Sequence, residues 1–79
     1  MEIKLGSIVK SIVGKEKDKF FLVIKIDENY AVIANGKRRP LENPKKKKIK
    51  HLEFIKQIDV DFNTLNNSRL RKLVRSENI

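Results

Sequence analysis

The side chains with the clearest chemical potential are the basic residues between positions 37 and 50. Eight Lys or Arg and a single acid, Glu42, give this segment a charge of +7, out of +9 for the 79-residue chain. Residues 1–36 and 51–79 carry +1 each. Clustered cations attract polyanions, because each phosphate that they neutralise releases condensed counterions. The localised surplus therefore indicates a patch that binds RNA, DNA or an acidic membrane surface.

Two kinds of cation make up this patch. An Arg can hold a phosphate through two parallel hydrogen bonds, whereas a Lys acts as a point charge. Pro40 and Pro44 stiffen the segment, which lowers the entropy that is lost on binding. The alternative is that the lysine run is only a solvated loop. The candidate contacts are Lys37, Arg38, Arg39, Lys45, Lys46, Lys47, Lys48, Lys50 and His51.

Catalysis has no comparable set of residues. His51 is the only histidine and the chain has no cysteine, so the sequence offers no metal-ligand spacing. No pair of acids stands out, no Ser or Thr has a nearby histidine as a base, and no Gly-rich phosphate loop is present. We therefore expect a protein that is not an enzyme, with no catalytic residues, no metal and no cofactor.

A small β domain must position the basic segment. Asn35-Gly36 indicates a tight hairpin, since both residues tolerate positive φ, and Pro40 places the strand that follows at an edge. Five strands in so short a chain favour a small barrel, whose closure removes exposed sheet edges. Runs of β-branched and aromatic residues predict strands at residues 8–13, 20–27, 30–34 and 49–55, and the chain that returns from the hairpin is the predicted fourth strand, at residues 37–41.

Alternation in the second predicted strand indicates which residues form the core. One face carries Phe20, Leu22, Ile24 and Ile26. The other is mixed, and we expect it to be partly exposed; it carries Phe21, Val23, Lys25 and Asp27. Most aromatic residues of so small a domain belong to its core. Phe21 and Tyr30 are the two candidates for stacking on bases.

The C-terminal residues have a different pattern. Asn63 or Thr64 is the expected cap of a helix that extends to about Ser76, with cations near its C-terminal end, where they suit the helix dipole. We therefore divide the chain into a barrel domain, residues 1–58, and a C-terminal extension, residues 59–79, that is helical from about residue 64. Without a long apolar stretch or a signal peptide, we expect a cytoplasmic protein that does not bind membranes.

Four stretches together resemble a KOW domain. They are GSIVKSIVG at 6–14, FFLVI at 20–24, YAVIANGKRRPL at 30–41 and PKKKKIKHL at 44–52. They are similar to the KOW-domain RNA-binding proteins related to the archaeal and eukaryotic large-subunit ribosomal protein of the fourteen-e type. There is one departure from that family: a glycine usually precedes the second strand, and Asp18 stands at the corresponding place.

The resemblance implies an SH3-like, KOW-type barrel, mainly β, with five strands and a short C-terminal helix after it. It also implies RNA contacts at Lys10, Lys15, Arg38, Arg39, Lys45, Lys47, Lys50 and His51. The expected partners are RNA, ribosomal RNA in particular, and ribosomal proteins. RNA is also favoured over DNA because no recognition helix precedes residue 63 and small β-barrels read RNA shape through loops and sheet faces.

The sequence thus predicts a non-catalytic RNA-binding protein that acts in translation or ribosome assembly. The alternative is an SH3-like module that docks on a ribosomal or transcription protein, since fold does not fix function. In that case the docking element would be the apolar stripe of the C-terminal helix, which consists of Leu65, Leu70, Leu73 and Val74. The oligomeric state is left open.

Overall fold

Five short strands followed by one helix form the described part of the chain. The structure is a computed structural model and describes residues 2–75. Its elements are β1 Ser7–Ser11, β2 Phe20–Asp27, β3 Tyr30–Ala34, β4 Lys45–Lys48, β5 Leu52–Gln57 and α1 Asn67–Arg75, with a 3₁₀ turn at Ile49–His51 before β5. The predicted mainly β fold with five strands and a short C-terminal helix is confirmed. The predicted helix end near Ser76 lies outside the described residues.

The strands form a single antiparallel sheet in the order β4-β3-β2-β1-β5. The register shifts between Ile8 and Val9 in β1, and again between Val23 and Lys25 in β2. Each bulge bends its strand and increases the local twist, so the small sheet is barrel-like. The sheet is open, because its two edge strands, β4 and β5, are not paired with each other. The 3₁₀ turn joins these two strands.

Both faces of this sheet bury apolar side chains. The first face carries the cluster Val9, Phe21, Val23, Ala31, Ile33 and Leu52. On the second face the buried cluster consists of Ile8, Leu22, Ala34, Leu70 and Val74. Since Leu70 and Val74 belong to α1, the helix covers the second face. A nine-residue helix is marginal alone in water, so this contact is what stabilises it.

The face of β2 that carries Phe21 and Val23 is buried at one end and exposed at the other. Lys25 and Asp27 are exposed, as expected of a partly exposed face, but Phe21 and Val23 are fully buried, so Phe21 is not available for stacking. The cause is the curvature of the sheet, which wraps around the first cluster. Tyr30 is half-buried at the start of β3 and keeps part of its ring accessible.

The fourth strand does not lie at residues 37–41 as predicted. Those residues form a bent loop that ends in a turn, and β4 is the lysine run, which pairs with residues 30–33 of β3. The expected Asn35-Gly36 hairpin is also wrong. The side-chain oxygen of Asn35 accepts hydrogen bonds from the N–H groups of Lys37 and Arg39, both at 3.0 Å. Such local bonds compete with a strand ladder, and Pro40 has no N–H to donate to one.

The bounds of three further elements differ from the predictions, and the first is β1, which spans Ser7–Ser11 and not residues 8–13. β5 begins at Leu52, because residues 49–51 form the 3₁₀ turn. α1 begins at Asn67, not near residue 64, and its cap is Asn66, whose side-chain oxygen accepts a hydrogen bond from Arg69 N–H at 2.9 Å. Thr64 is held in a preceding turn, where its N–H donates to the Asp61 carbonyl at 3.2 Å.

The loop after β3 is fastened to α1. The Leu41 N–H donates to the Asn67 side-chain oxygen, and Arg71 Nη1 donates to the Gly36 carbonyl, both at 2.8 Å. Gly36 has a φ of +80°, and a Cβ there would lie 2.5 Å from the Asn67 carbonyl oxygen and 2.9 Å from Arg71 Cγ. Glycine is therefore required twice, by its backbone conformation and by the closeness of the helix.

We expect Gly36→Ala to destabilise the fold by about 2–4 kcal/mol, because it adds a backbone clash to the strain of positive φ. Gly14→Ala is the matched control. Gly14 also has a φ of +80°, but its Cβ would meet only the flexible Lys47 Nζ, at 3.6 Å. The free energy of unfolding of this control should fall only through the strain of positive φ, by about 1–2 kcal/mol. Urea unfolding measures both variants, and equal losses would show that Gly36 is needed for its conformation alone.

Candidate nucleic-acid interface

The basic segment is divided between two sides of the sheet, because its lysine run is a strand. Successive side chains of a strand point to opposite faces. Lys45 and Lys47 pair with Ile33 and Ala31 and are half-buried on the side of the first cluster, whereas Lys46 and Lys48 are exposed on the other side. The expectation that one surface displays the whole segment is therefore wrong.

A cleft on the first side brings together residues from three parts of the chain. The Lys47 ammonium donates to the Val13 carbonyl at 3.1 Å, which anchors β4 to the loop between β1 and β2. The apolar stem of Lys47 runs along the sheet while its charge reaches the rim. We call this concave region the loop cleft; its lining residues are Gly14, Lys15, Glu16, Arg38, Arg39, Lys45 and Lys47.

One ion pair holds the floor of the loop cleft. Arg39 Nε lies 2.9 Å from Glu16 Oε2, and the two side chains are 30% and 10% exposed. A charged hydrogen bond that is sheltered from water is stronger than a surface pair. Arg39, predicted as an RNA contact, thus also fastens the loop after β3 to the loop after β1.

A larger groove adjoins the loop cleft and lies between α1 and the same two loops. We call it the helix groove; it is lined by Asp18, Lys19, Phe20, Asn35, Lys37, Arg38, Ser68, Arg71, Lys72, Val74 and Arg75. Six of these residues are basic and one, Asp18, is acidic. Because Arg38 lines both concavities, the cleft and the groove form one surface with ten different basic residues.

Four of these cations were not predicted as contacts. Lys19 lies next to Asp18 in a charged loop, whose sequence indicates that it is exposed to solvent. The other three are Arg71, Lys72 and Arg75 of α1. Arg71 and Arg75 are four residues apart and therefore share one side of the helix. That spacing, beside the apolar Leu70 and Val74, is the signal in the sequence that could have placed these cations at the rim of the helix-sheet contact.

The other side of β4 carries a separate basic and aromatic surface. The Lys46 ammonium lies 5.1 Å from the centroid of the Tyr30 ring and 3.0 Å from Asp27 Oδ2. The hydrogen bond from Lys46 holds the pKa of the Asp27 carboxyl below its usual value. We call this region the tyrosine face; its concave part is lined by Asn29, Tyr30, Lys48, Ile49 and Lys50.

Two predicted contacts belong to none of these three surfaces. Lys10 lies 3.8 Å from Glu53 and 6.0 Å from the centroid of the Phe20 ring, on the side of the second cluster. His51 is half-buried in the 3₁₀ turn, where its carbonyl accepts a hydrogen bond from Ile12 at 3.1 Å. The predicted contacts that the structure does bring together are Lys15, Lys37, Arg38, Arg39, Lys45 and Lys47.

The fold and the site define a small, mainly β domain with a concave basic surface. The chain matches no protein-family model, and no curated protein is significantly similar to it. The likeness to KOW domains therefore remains a prediction. Within residues 2–75, no helix has the length and apolar character needed to cross a membrane.

We expect Glu16→Gln to destabilise the fold by about 1–3 kcal/mol, because Arg39 keeps its sheltered charge but loses the charged acceptor. Glu53→Gln is the matched control. Its ion pair with Lys10 is longer, at 3.8 Å, and the Glu53 side chain is 55% exposed. Such a change should stay within about 0.5 kcal/mol. If chemical denaturation shows the same stability for both variants, the pair between Arg39 and Glu16 is not the fastening described above.

Proposed function

We propose that this protein binds structured RNA through the continuous surface of the loop cleft and the helix groove. The observation that carries the proposal is the convergence of ten basic residues around Arg38, against two acids. One of those acids, Glu16, is already neutralised by Arg39. The surface therefore has a strongly positive potential, which concave, low-dielectric walls intensify.

The arrangement of these cations supports binding over a merely solvated face. They come from segments that are far apart in the chain, and gathering like charges in one concavity opposes folding. The loop that carries Arg38 is nevertheless fixed by hydrogen bonds to Asn35, Asn67 and Arg71. A rigid basic surface loses little entropy when it meets a phosphate backbone, so the affinity of a polyanion is higher.

Structured RNA suits this surface better than duplex DNA does. A DNA-reading helix must project into the major groove. Here the short α1 lies against the sheet through Leu70 and Val74 and presents cations along its side. Such a surface is suited to phosphates and to the shape of an RNA fold, which is how double-stranded RNA is recognised.

Ribosomal RNA is the proposed target, with a role in translation or ribosome assembly in the cytoplasm. This part of the proposal rests on the resemblance to KOW domains. A φ of +71° at Asp18 supports it, because the family's glycine is expected at a position with such a backbone. Asp is one of the few other residues that tolerate the left-handed region.

Docking on a partner protein has less support. In the stripe that was considered as the docking element, Leu70 and Val74 are 0% and 8% exposed and belong to the second cluster, while Leu65 and Leu73 are half-buried. Because Leu70 and Val74 already cover the sheet, a partner protein could reach them only if α1 undocked. We therefore give RNA binding as the function.

Replacing Arg38 and Lys72 by Ala should weaken RNA binding by about 10-fold or more near 0.1 M salt. It should also lower the salt slope by about 1–2, because up to two fewer phosphates are neutralised. Lys4→Ala/Lys56→Ala is the control with the same change of net charge, and neither residue lines the cleft or the groove. Fluorescence anisotropy of a labelled RNA hairpin across a salt series measures both. Equal effects of the two double variants would reduce the proposal to unspecific charge attraction.

Asp18→Asn should raise the RNA affinity a few-fold, because it removes the negative charge from the helix groove and Asn still tolerates positive φ. Glu53→Gln also removes one acidic charge, but from outside the surface, and should leave the affinity within about 1.5-fold at physiological salt. The same anisotropy assay compares them. No gain for Asp18→Asn would mean that the RNA does not pass along the helix groove.

A further inference from the structure

We propose that the tyrosine face is a second RNA-binding site, so that one copy of the protein holds two RNA segments on two separate surfaces. This inference rests on the proposed function and adds a second contact and a bridging role to it. The observation behind it is that Tyr30, Lys48 and Lys50 form a surface that shares no lining residue with the loop cleft or the helix groove.

The chemistry of the tyrosine face suits an unpaired nucleotide. Tyr30 is half-buried and lines the concave part of this face. Bases stack on such rings whatever their identity. Lys48 and Lys50 are exposed beside it and can neutralise the adjoining phosphates, while Asn29 provides amide groups for hydrogen bonding to a base edge.

The position of Tyr30 is fixed before any ligand arrives. The Lys46 ammonium lies 5.1 Å from the centroid of its ring and is itself held at 3.0 Å by Asp27. Tyr30 also pairs through its backbone with Asp27 on one side and with Lys48 on the other. An aromatic platform held in this way loses little freedom when a base stacks on it.

The separation of the two sites allows both to be filled together. Alternation along β4 points Lys45 and Lys47 to one side and Lys46 and Lys48 to the other. The tyrosine face also has no lining residue in common with the loop cleft or the helix groove, so RNA bound at one surface leaves the residues of the other free to bind.

Protection of an exposed sheet edge explains only part of this surface. Lysines on an edge strand discourage pairing with another chain, which accounts for Lys46 and Lys48. It does not account for Lys50, which lies in the 3₁₀ turn and not on the edge, nor for an accessible aromatic ring beside it. The combination of ring, amide and cations is what an unpaired nucleotide requires.

The test uses the full chain and one short RNA hairpin with an unpaired loop, prepared with a donor dye, with an acceptor dye and without a dye. The wild type should bind two hairpins per protein and bring donor and acceptor together, so that energy transfer appears at saturation. Lys48→Glu/Lys50→Glu should keep the affinity for the first hairpin within about 3-fold, bind one hairpin and give no energy transfer. Both residues are exposed, so the variant should melt like the wild type.

Tyr30 is the only tyrosine of the chain, so a fluorotyrosine label gives one ¹⁹F resonance that reports on this site alone. RNA should shift it in the wild type and, at higher RNA concentration, in Arg38→Ala/Lys72→Ala. It should not shift in Lys48→Glu/Lys50→Glu.

The outcomes separate this inference from the proposed function. Tight binding of a single hairpin by the wild type, without energy transfer, would overturn the second site and leave the proposed function standing. No binding of the hairpin at all would overturn both. Sedimentation gives the number of protein copies in each complex. If energy transfer comes only from complexes with two protein copies, a dimer bridges the two hairpins and the inference is overturned.

Discussion

The contact between Gly36 and α1 is the constraint on which the basic surface depends. It brings the loop that carries Arg38 against the helix that carries Arg71, and the missing side chain at Gly36 is what allows the approach. Gathering cations there opposes folding. Full burial of Leu70 and near-complete burial of Val74 on the sheet contribute about 1.5–3 kcal/mol each, which offsets that repulsion. The basic surface therefore depends on the packing of the second apolar cluster as much as on its own charges.

Much of the sheet could be predicted because its strands carry local signals. β2 and β3 are β-branched runs joined by a short turn, and the structure pairs them as the sequence indicates. β4 could not be predicted in the same way. Lysine is depleted in strands, and the run Lys45–Lys48 is extended only because its backbone pairs with residues 30–33. That pairing is a tertiary effect, and no local sequence pattern indicates it.

The candidate site likewise contains some residues that the local sequence indicates and others that only the tertiary structure brings in. Localised charge identified Lys37, Arg38 and the lysine run, since those residues are neighbours in the sequence. The helix cations belong to a segment, residues 51–79, with a net charge of only +1, where acids elsewhere in the segment mask them. They belong to the basic surface because Leu70 and Val74 pack against the sheet and thereby fix the position of α1. Charge counting along the chain misses such cations, whereas the helix pattern together with the apolar stripe would have indicated them.

The lysines of β4 also show how protection of an edge differs from binding. Edge protection needs only a charge near the unpaired strand, and a freely moving side chain supplies it. Lys47 is instead held at the Val13 carbonyl, and Lys46 is held between Asp27 and the Tyr30 ring. Fixing a lysine side chain costs up to about 1.5–2 kcal/mol of conformational entropy. Protection alone gains nothing from that loss. The proposed RNA-binding surface would gain from it, because the ordering is complete before the ligand binds.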